Sequence, residues 1–351
     1  MSLTSRLKDQ KSEVRKFMNA RLPNTRRVMA LSRGRMGQRP TRRPEGPVPW
    51  PLIGTAVDYR LRFYFPQTGR SGNVENLVCY LGAAKACGAQ VACSEDEAVR
   101  ILVAPPKARA GGLDHGLMLD FFASLKDCLD QAPPMRRLDA EAEDRLLRHC
   151  VVMGALDFFY RTQYDAQSVL LVPEPRLTIS DLLAVAKQGW LDDLRGLSWD
   201  FHDGFPNLRE QPAALNPTFD GSAFVDGADA DLVTNGCLID FKTTINPLKD
   251  AEWIYQLLGY VLLDWHDEHR IERVALYFAR QNFLLEWELT DLLAELTGGP
   301  EMTLEILRQD WHDMVTKNAL SNVTDFDKEF AKNMGYVMDT GRWKRWQGGT
   351  N

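Results

Sequence analysis

Apolar residues recur along the chain with two periods, and the switch between them places the elements. Leu3 to Met18 carries a helical pattern, and the remainder up to residue 48 has no clear period. After Pro49 and Pro51, Ile53, Val57, Leu61 and Tyr64 fall about every fourth residue, which predicts a helix. Residues 73–200 keep the helical period for most of their length. Helices are expected over 73–87, 113–130, 139–162 and 180–197, the last with Ser180 as N-cap followed by Asp181. Short strands or turns are expected at 91–94, 100–104 and 168–173. The period then shortens. Residues 216–224 read as an entry strand, and 230–233 with 237–241 as a strand pair. The stripe Ile254, Leu257, Leu258, Val261, Leu262 and Trp265 predicts a helix over 249–267. Residues 273–279 read as a buried strand, and 283–289 alternate as a half-exposed one. Helices over 291–297, 301–317 and 325–338 close the chain, broken at Gly298-Gly299-Pro300.

Composition narrows the class without naming it. The 351 residues are 44% hydrophobic and 26% charged, an ordinary globular balance. No apolar run approaches the roughly 18 residues that a membrane span needs. The N-terminus has no apolar core of a secretory signal, so a cytoplasmic location is expected. The six cysteines are scattered with no Cys-x-x-Cys pair, which points to neither a zinc site nor a disulfide framework. Charge is uneven. Residues 1–43 hold 13 Lys/Arg against two acids, while the rest of the chain holds 29 basic against 46 acidic residues. The basic stretch reads as a nucleic-acid contact, or else as a solvated or partner-docking arm, with a transit peptide a third reading. The acidic body argues against broad coating of nucleic acid.

The strand pair carries the chemistry. Asn235-Gly236 between the two runs is a strong hairpin signal. A hairpin centred there sets Asp231 opposite Asp240, and alternation puts Lys242 on the Asp240 face. Facing carboxylates repel. A divalent cation turns them into a ligand pair, and a lysine two residues on can hold an attacking water or developing negative charge. Asp229 shares the face of Asp231 and is the alternative first ligand. The other acids nearby, Asp220 and Asp226, read as a solvated loop. His266-Asp267-Glu268-His269 ends a helix and reads as a polar turn.

This Asp-x8-Asp-x-Lys hairpin resembles the PD-(D/E)XK nuclease superfamily, in particular its RecB-like branch. Two further stretches match at the expected places. Gly54-Thr55-Ala56-Val57 resembles the start of that family's first core helix. Gln256-x-x-x-Tyr260 resembles the motif on the helix after its Asp-x-Lys strand. The resemblance spans residues 50–65 and 215–290. It implies an α/β (α+β) fold with a restriction-endonuclease-like αβββαβ core, a large helical insertion and C-terminal helices. The implied divisions are a basic arm (1–48), the first core helix (49–66), a mainly helical insertion or cap (67–212), the nuclease core (213–290), and C-terminal helices with a basic-aromatic tail (291–351).

The resemblance further implies Mg²⁺ or Mn²⁺ held by Asp231, Asp240 and the Phe241 backbone carbonyl. Lys242 would be catalytic, and Gln256 and Tyr260 would position the substrate. The family usually has a histidine where this chain has Asp58. Asp58 is therefore a candidate oxygen ligand, and an Asp58–Arg62 ion pair at i,i+4 is the alternative. No cysteine follows Cys237, so the iron–sulfur cluster of some relatives is not expected. The expected activity is metal-dependent phosphodiester hydrolysis on nucleic acid, DNA before RNA, away from membranes and with a protein partner to supply a motor or targeting. The competing expectation is a catalytically silent subunit of the same fold that binds nucleic acid or scaffolds a complex.

Overall fold

The computed structural model describes residues 2–66, 77–87, 90–93, 100–103, 115–162, 178–322, 336–339 and 342–345. Three helices open the chain: α1 (Leu3–Lys8), α2 (Glu13–Arg21) and α3 (Thr25–Met36). The sequence reading expected one helix and then an irregular basic arm. Leu3, Leu7, Val14, Met18, Leu22, Val28, Met29 and Met36 are instead all buried. Their spacing gives each short helix one apolar stripe, which docks onto the body and leaves the arginines outside. Ser2 and Ser12 cap α1 and α2 by accepting from the amides of Ser5 and Arg15.

Helix α4 (Trp50–Arg62) follows, started by Pro51 in its first turn. Next come α5 (Val78–Ala86), a hairpin of β1 (Gln90–Cys93) and β2 (Arg100–Val103), α6 (His115–Asp130) and the long α7 (Ala140–Thr162). The single helix expected over 180–197 is two, α8 (Ile179–Ala184) and α9 (Gln188–Gly204). The N-cap is Thr178, not Ser180. Asp181 sits three residues on, completing a capping box with reciprocal side-chain bonds. The short α10 (Pro206–Arg209) leads into the sheet. The strand or turn expected at 168–173 lies outside the described residues.

The sheet has five strands: β3 (Ala213–Leu215), β4 (Leu232–Thr234), β5 (Cys237–Lys242), β6 (Arg273–Phe278) and β7 (Phe283–Glu288), hydrogen-bonded in that order. All pairs are antiparallel except β5–β6, which are parallel and joined by α11 (Glu252–Leu263). The entry strand is therefore 213–215. The stretch 216–224, expected as a strand, contributes one isolated bridge, Thr218 to Asp229, and then a 3₁₀ turn from Ser222 to Val225. Helices α12 (Leu289–Thr297) and α13 (Leu304–Asn322) follow, and β8 (Tyr336–Asp339) pairs with β9 (Arg342–Arg345). Of the helix expected over 325–338, residues up to 335 lie outside the described residues, and the last three belong to β8.

Alternation along the strands splits the core between two faces. Leu232, Ile239, Phe241, Ala275 and Tyr277 join the buried side chains of α4, α7 and α9. Val233, Leu238, Val274, Leu276, Phe278 and Leu285 join those of α1–α3 and α11–α13. The described helices of the block 67–212 thus share one buried cluster with α4 and this face of the sheet. Phe201 of α9 lies edge-on to Tyr277 at 4.9 Å. Two buried forks tie that layer down: Arg60 to Glu143 across α4 and α7, and Arg280 to Asp193 of α9. The outcome is a mixed α/β protein with a five-stranded mixed sheet between two helical layers. Among the described residues no helix is long and apolar enough to cross a membrane.

One glycine sets how closely this layer packs. A Cβ at Gly82 of α5 would lie 2.0 Å from the carbonyl oxygen of Leu156 on α7. Gly82→Ala must push the two helices apart, and it is expected to cost about 3 kcal/mol in urea unfolding. An unchanged midpoint would show that α5 does not pack this closely.

Candidate functional site

The hairpin between β4 and β5 turns on Asn235 and Gly236, both at positive φ (45° and 69°), as a two-residue turn with right-handed strand twist demands. The ladder pairs Leu232 with Ile239 and Val233 with Leu238. One step further it sets Asp231 opposite Asp240, as the sequence reading expects. Val233 and Leu238 face α11, so Asp231, Asp240 and Lys242 share that face by alternation. Asp231 lies just before β4 and is fixed twice. Its carbonyl accepts from the amide of Asn216 (3.1 Å), and its Oδ2 accepts from the amide of Phe241 (2.6 Å).

Asp240 is 2% exposed. Burial pushes its carboxyl up to about 6; the ammonium of Lys242 opposes the rise and the charge of Asp231 adds to it. Lys242 forms an ion pair with Asp240 Oδ2. That oxygen has no partner in hydrogen-bond alignment, so it is a buried acceptor left with contact alone. Lys242 Nζ also donates to Gln256 Oε1 (3.0 Å). Gln256 Nε2 in turn donates to the Tyr260 hydroxyl (2.7 Å) and toward Thr4 Oγ1 (3.4 Å). Gln256 and Tyr260 lie one turn apart on α11 and so reach the same spot. Burial first, then Asp240, Asp229 and Asp231, holds the Tyr260 hydroxyl well above the ordinary range, so it stays protonated.

Asp58 and Arg62 form the opposite wall, on the last turns of α4. The Arg62 guanidinium grips both oxygens of Asp58, with Nε to Oδ1 at 2.8 Å. It also donates to Asp231 Oδ1 (3.0 Å) and Asn216 Oδ1 (3.0 Å). The i,i+4 ion pair weighed for Asp58 is therefore present. Burial raises the Asp58 carboxyl well above its usual range; Arg62 opposes the rise and Asp231 reinforces it. Asp229 lines the same cleft, where the Arg161 fork binds both its oxygens (2.8 and 3.3 Å), and Arg161 also binds Asp157 (2.6 Å).

Asp58, Arg62, Asp231, Gln256 and Tyr260 line a cleft of about 240 Å³ with Thr55, Asp229 and Arg161, and residues 2–4 lie at its edge; Asp240 and Lys242 are not on its walls. A larger groove of about 420 Å³ opens between Phe205 and Arg273, and neither Asp231 nor Asp240 lines it. The structure thus brings Asp231, Asp240, Lys242, Gln256, Tyr260 and Asp58 together, while Asp229 is committed to Arg161. Sequence reasoning missed Arg161, Asp157 and Thr4. Arg161 arrives from α7, 70 residues before Asp231, and Thr4 from a stretch read mainly for its charge; neither lies in a motif. His266 does not join the site. It bonds Asp220 (2.6 Å), and the carboxylate of Asp264 caps the turn at Glu268 and His269.

Among the described residues no three His, Cys, Asp or Glu side chains gather as a metal-holding group. The donors at hand are two facing carboxylates and the backbone beside them. Mg²⁺ is commonly held by one or two carboxylates and completed by water and substrate oxygens. Asp231 keeps lone pairs on both oxygens after its two hydrogen bonds. Asp240 Oδ2 is a buried acceptor without an aligned donor. This pair therefore fits such an ion. No protein-family model, no curated protein and no solved structure matches the chain. What fold and site define directly is a mixed α/β protein whose central hairpin holds a carboxylate–lysine cluster, with Asp231 on the wall of an acidic cleft.

Proposed function

We propose that the protein is a metal-dependent nuclease of the PD-(D/E)XK type, hydrolysing phosphodiester bonds in nucleic acid, DNA in preference to RNA. The observation that carries this reading is the continuous chain from Asp240 through Lys242 and Gln256 to Tyr260, set against Asp231. Two acids set face to face, one of them buried, beside a half-buried lysine weaken a fold unless the cluster has work to do. The order of elements also supports it: α4, three antiparallel strands β3–β5, helix α11 and the parallel strand β6 follow the αβββαβ arrangement.

In this reading Asp231, Asp240 and the Phe241 carbonyl would hold Mg²⁺ or Mn²⁺, which when bound would supply charge neutralisation at the phosphate and a more acidic water. Lys242 orients the attacking water and balances negative charge as it develops. Gln256 keeps the Lys242 ammonium aimed by accepting a hydrogen bond from it. The Tyr260 hydroxyl, held protonated, can donate to a non-bridging phosphate oxygen. Arg161, 44% exposed at the cleft wall, holds Asp229 and Asp157 by ion pairs and so fixes the acidic side of the cleft. The residues read as catalytic contain no motor, so processive action calls for a protein partner.

A second reading rests on one observation: Arg62 already places a cation on Asp231. It makes the protein a metal-free subunit that binds nucleic acid without cutting. Labelled single- and double-stranded DNA and RNA, incubated with Mg²⁺, Mn²⁺ or EDTA, separate the two. Cleavage that needs the metal and is lost in Lys242→Ala supports the nuclease. Binding without cleavage under every condition supports the second reading.

A further inference from the structure

We infer that Asp58 acts on this site through Arg62, as a positioning residue, and not as a ligand to the ion. The inference rests on the proposed role of Asp231 in holding that ion. Arg62 is 4% exposed and ends α4 facing three carbonyl or carboxylate groups. Its Nε and one terminal nitrogen engage the two oxygens of Asp58 as a fork. Such bidentate pairs are strong and directional. To ligate a cation, Asp58 would have to turn away from the fork and leave the buried guanidinium with Asp231 as its one carboxylate partner, which is costly. Asp231 differs, because only its Oδ1 meets the guanidinium, while its Oδ2 is held by the amide of Phe241.

Charge gives Asp58 its role. Arg62 is the only cation bonded to Asp231 among the described residues. With Asp58 in its fork, the guanidinium is largely neutralised and spends a single hydrogen bond on Asp231. Without Asp58, the whole positive charge falls to Asp231 and competes with any ion there. Asp58 therefore restrains Arg62, and through it keeps Asp231 available.

Direct ligation predicts the opposite pattern, so a mutant cycle on the full chain decides. Mn²⁺ binding is followed by the loss of the free-ion resonance in electron paramagnetic titrations, without nucleic acid. Asp58→Ala is expected to weaken Mn²⁺ binding about tenfold or more, the scale of an outer-layer change at a metal site. Asp58→Ala combined with Arg62→Gln is expected to recover to within about threefold of wild type, because the competitor leaves with its partner. A double mutant as weak as Asp58→Ala overturns the inference. The wild-type protein gives a second readout that does not depend on mutants folding. The Arg62 Nε proton, donated to Asp58, should keep its protection from solvent exchange when Mg²⁺ saturates the protein. Loss of that protection overturns the inference as well. Failure of wild type to bind Mn²⁺ at all would sink the nuclease reading and this inference with it, whereas binding without recovery in the double mutant sinks the inference alone.

Discussion

Lys242→Ala is expected to lower single-turnover cleavage by about 10²–10⁴-fold at saturating Mn²⁺, while leaving Mn²⁺ affinity unchanged or improved. The two halves of this expectation have different causes. Cleavage suffers because the ammonium is the one group placed both on Asp240 and within reach of Gln256. Without it, neither the attacking water nor the developing charge has a fixed donor. Metal binding survives because Lys242 is a cation beside a proposed ligand, so removing it lessens competition for Asp240. Lys242→Arg should not rescue: a planar guanidinium does not replace a compact ammonium seated between a carboxylate and an amide oxygen. Gln256→Ala should cost less, about tenfold, because it removes only the group that aims the lysine. Equal rates for wild type and Lys242→Ala, with both proteins folded by near-ultraviolet dichroism, would end the catalytic assignment.

The hairpin was legible in the sequence because its signals are local. Asn235-Gly236 demands a positive φ at two consecutive positions, and the flanking apolar runs leave one register. The face shared by Asp240 and Lys242 follows from alternation alone. The Gln256–Tyr260 pair follows from one helical turn, although its bond to Lys242 needs the strand and helix packed together. What was not legible depends on distant chain. Arg161 is brought to Asp229 by the layer that α7 forms against α4. The N-terminal helices were read as an arm because their charge is conspicuous. The apolar residues that bury them come in stripes too short to stand alone, and they become helices by docking. The entry strand was placed too late because Asn216-Pro217 follows it, a pair that ends a strand more readily than it begins one.

Asp240→Asn should abolish cleavage yet stabilise the metal-free protein, and the gain should depend on pH. In the fold the Asp240 carboxyl titrates at about 6, against 3.8 for an ordinary aspartate. Burial is the main cause, with Asp231 adding to it and Lys242 offsetting part of it. Between these two values the folded state holds a proton that the unfolded chain has released. Stability therefore falls as pH rises through that window, and the full penalty stands above about pH 6. A shift of roughly two units corresponds to about 3 kcal/mol. Asparagine resembles the neutral carboxyl, and the shift already includes the attraction of Lys242, so the net gain at pH 8 is expected to be about 2–3 kcal/mol. Near pH 4 the native aspartate is itself neutral and the gain should vanish. Urea unfolding in EDTA at the two pH values measures both terms. An Asp240→Asn protein that is less stable than wild type by the same margin at both values would mean that the buried charge carries no penalty in the fold. A gain confined to high pH would instead locate, at the centre of the hairpin, strain that divalent cation binding is positioned to relieve.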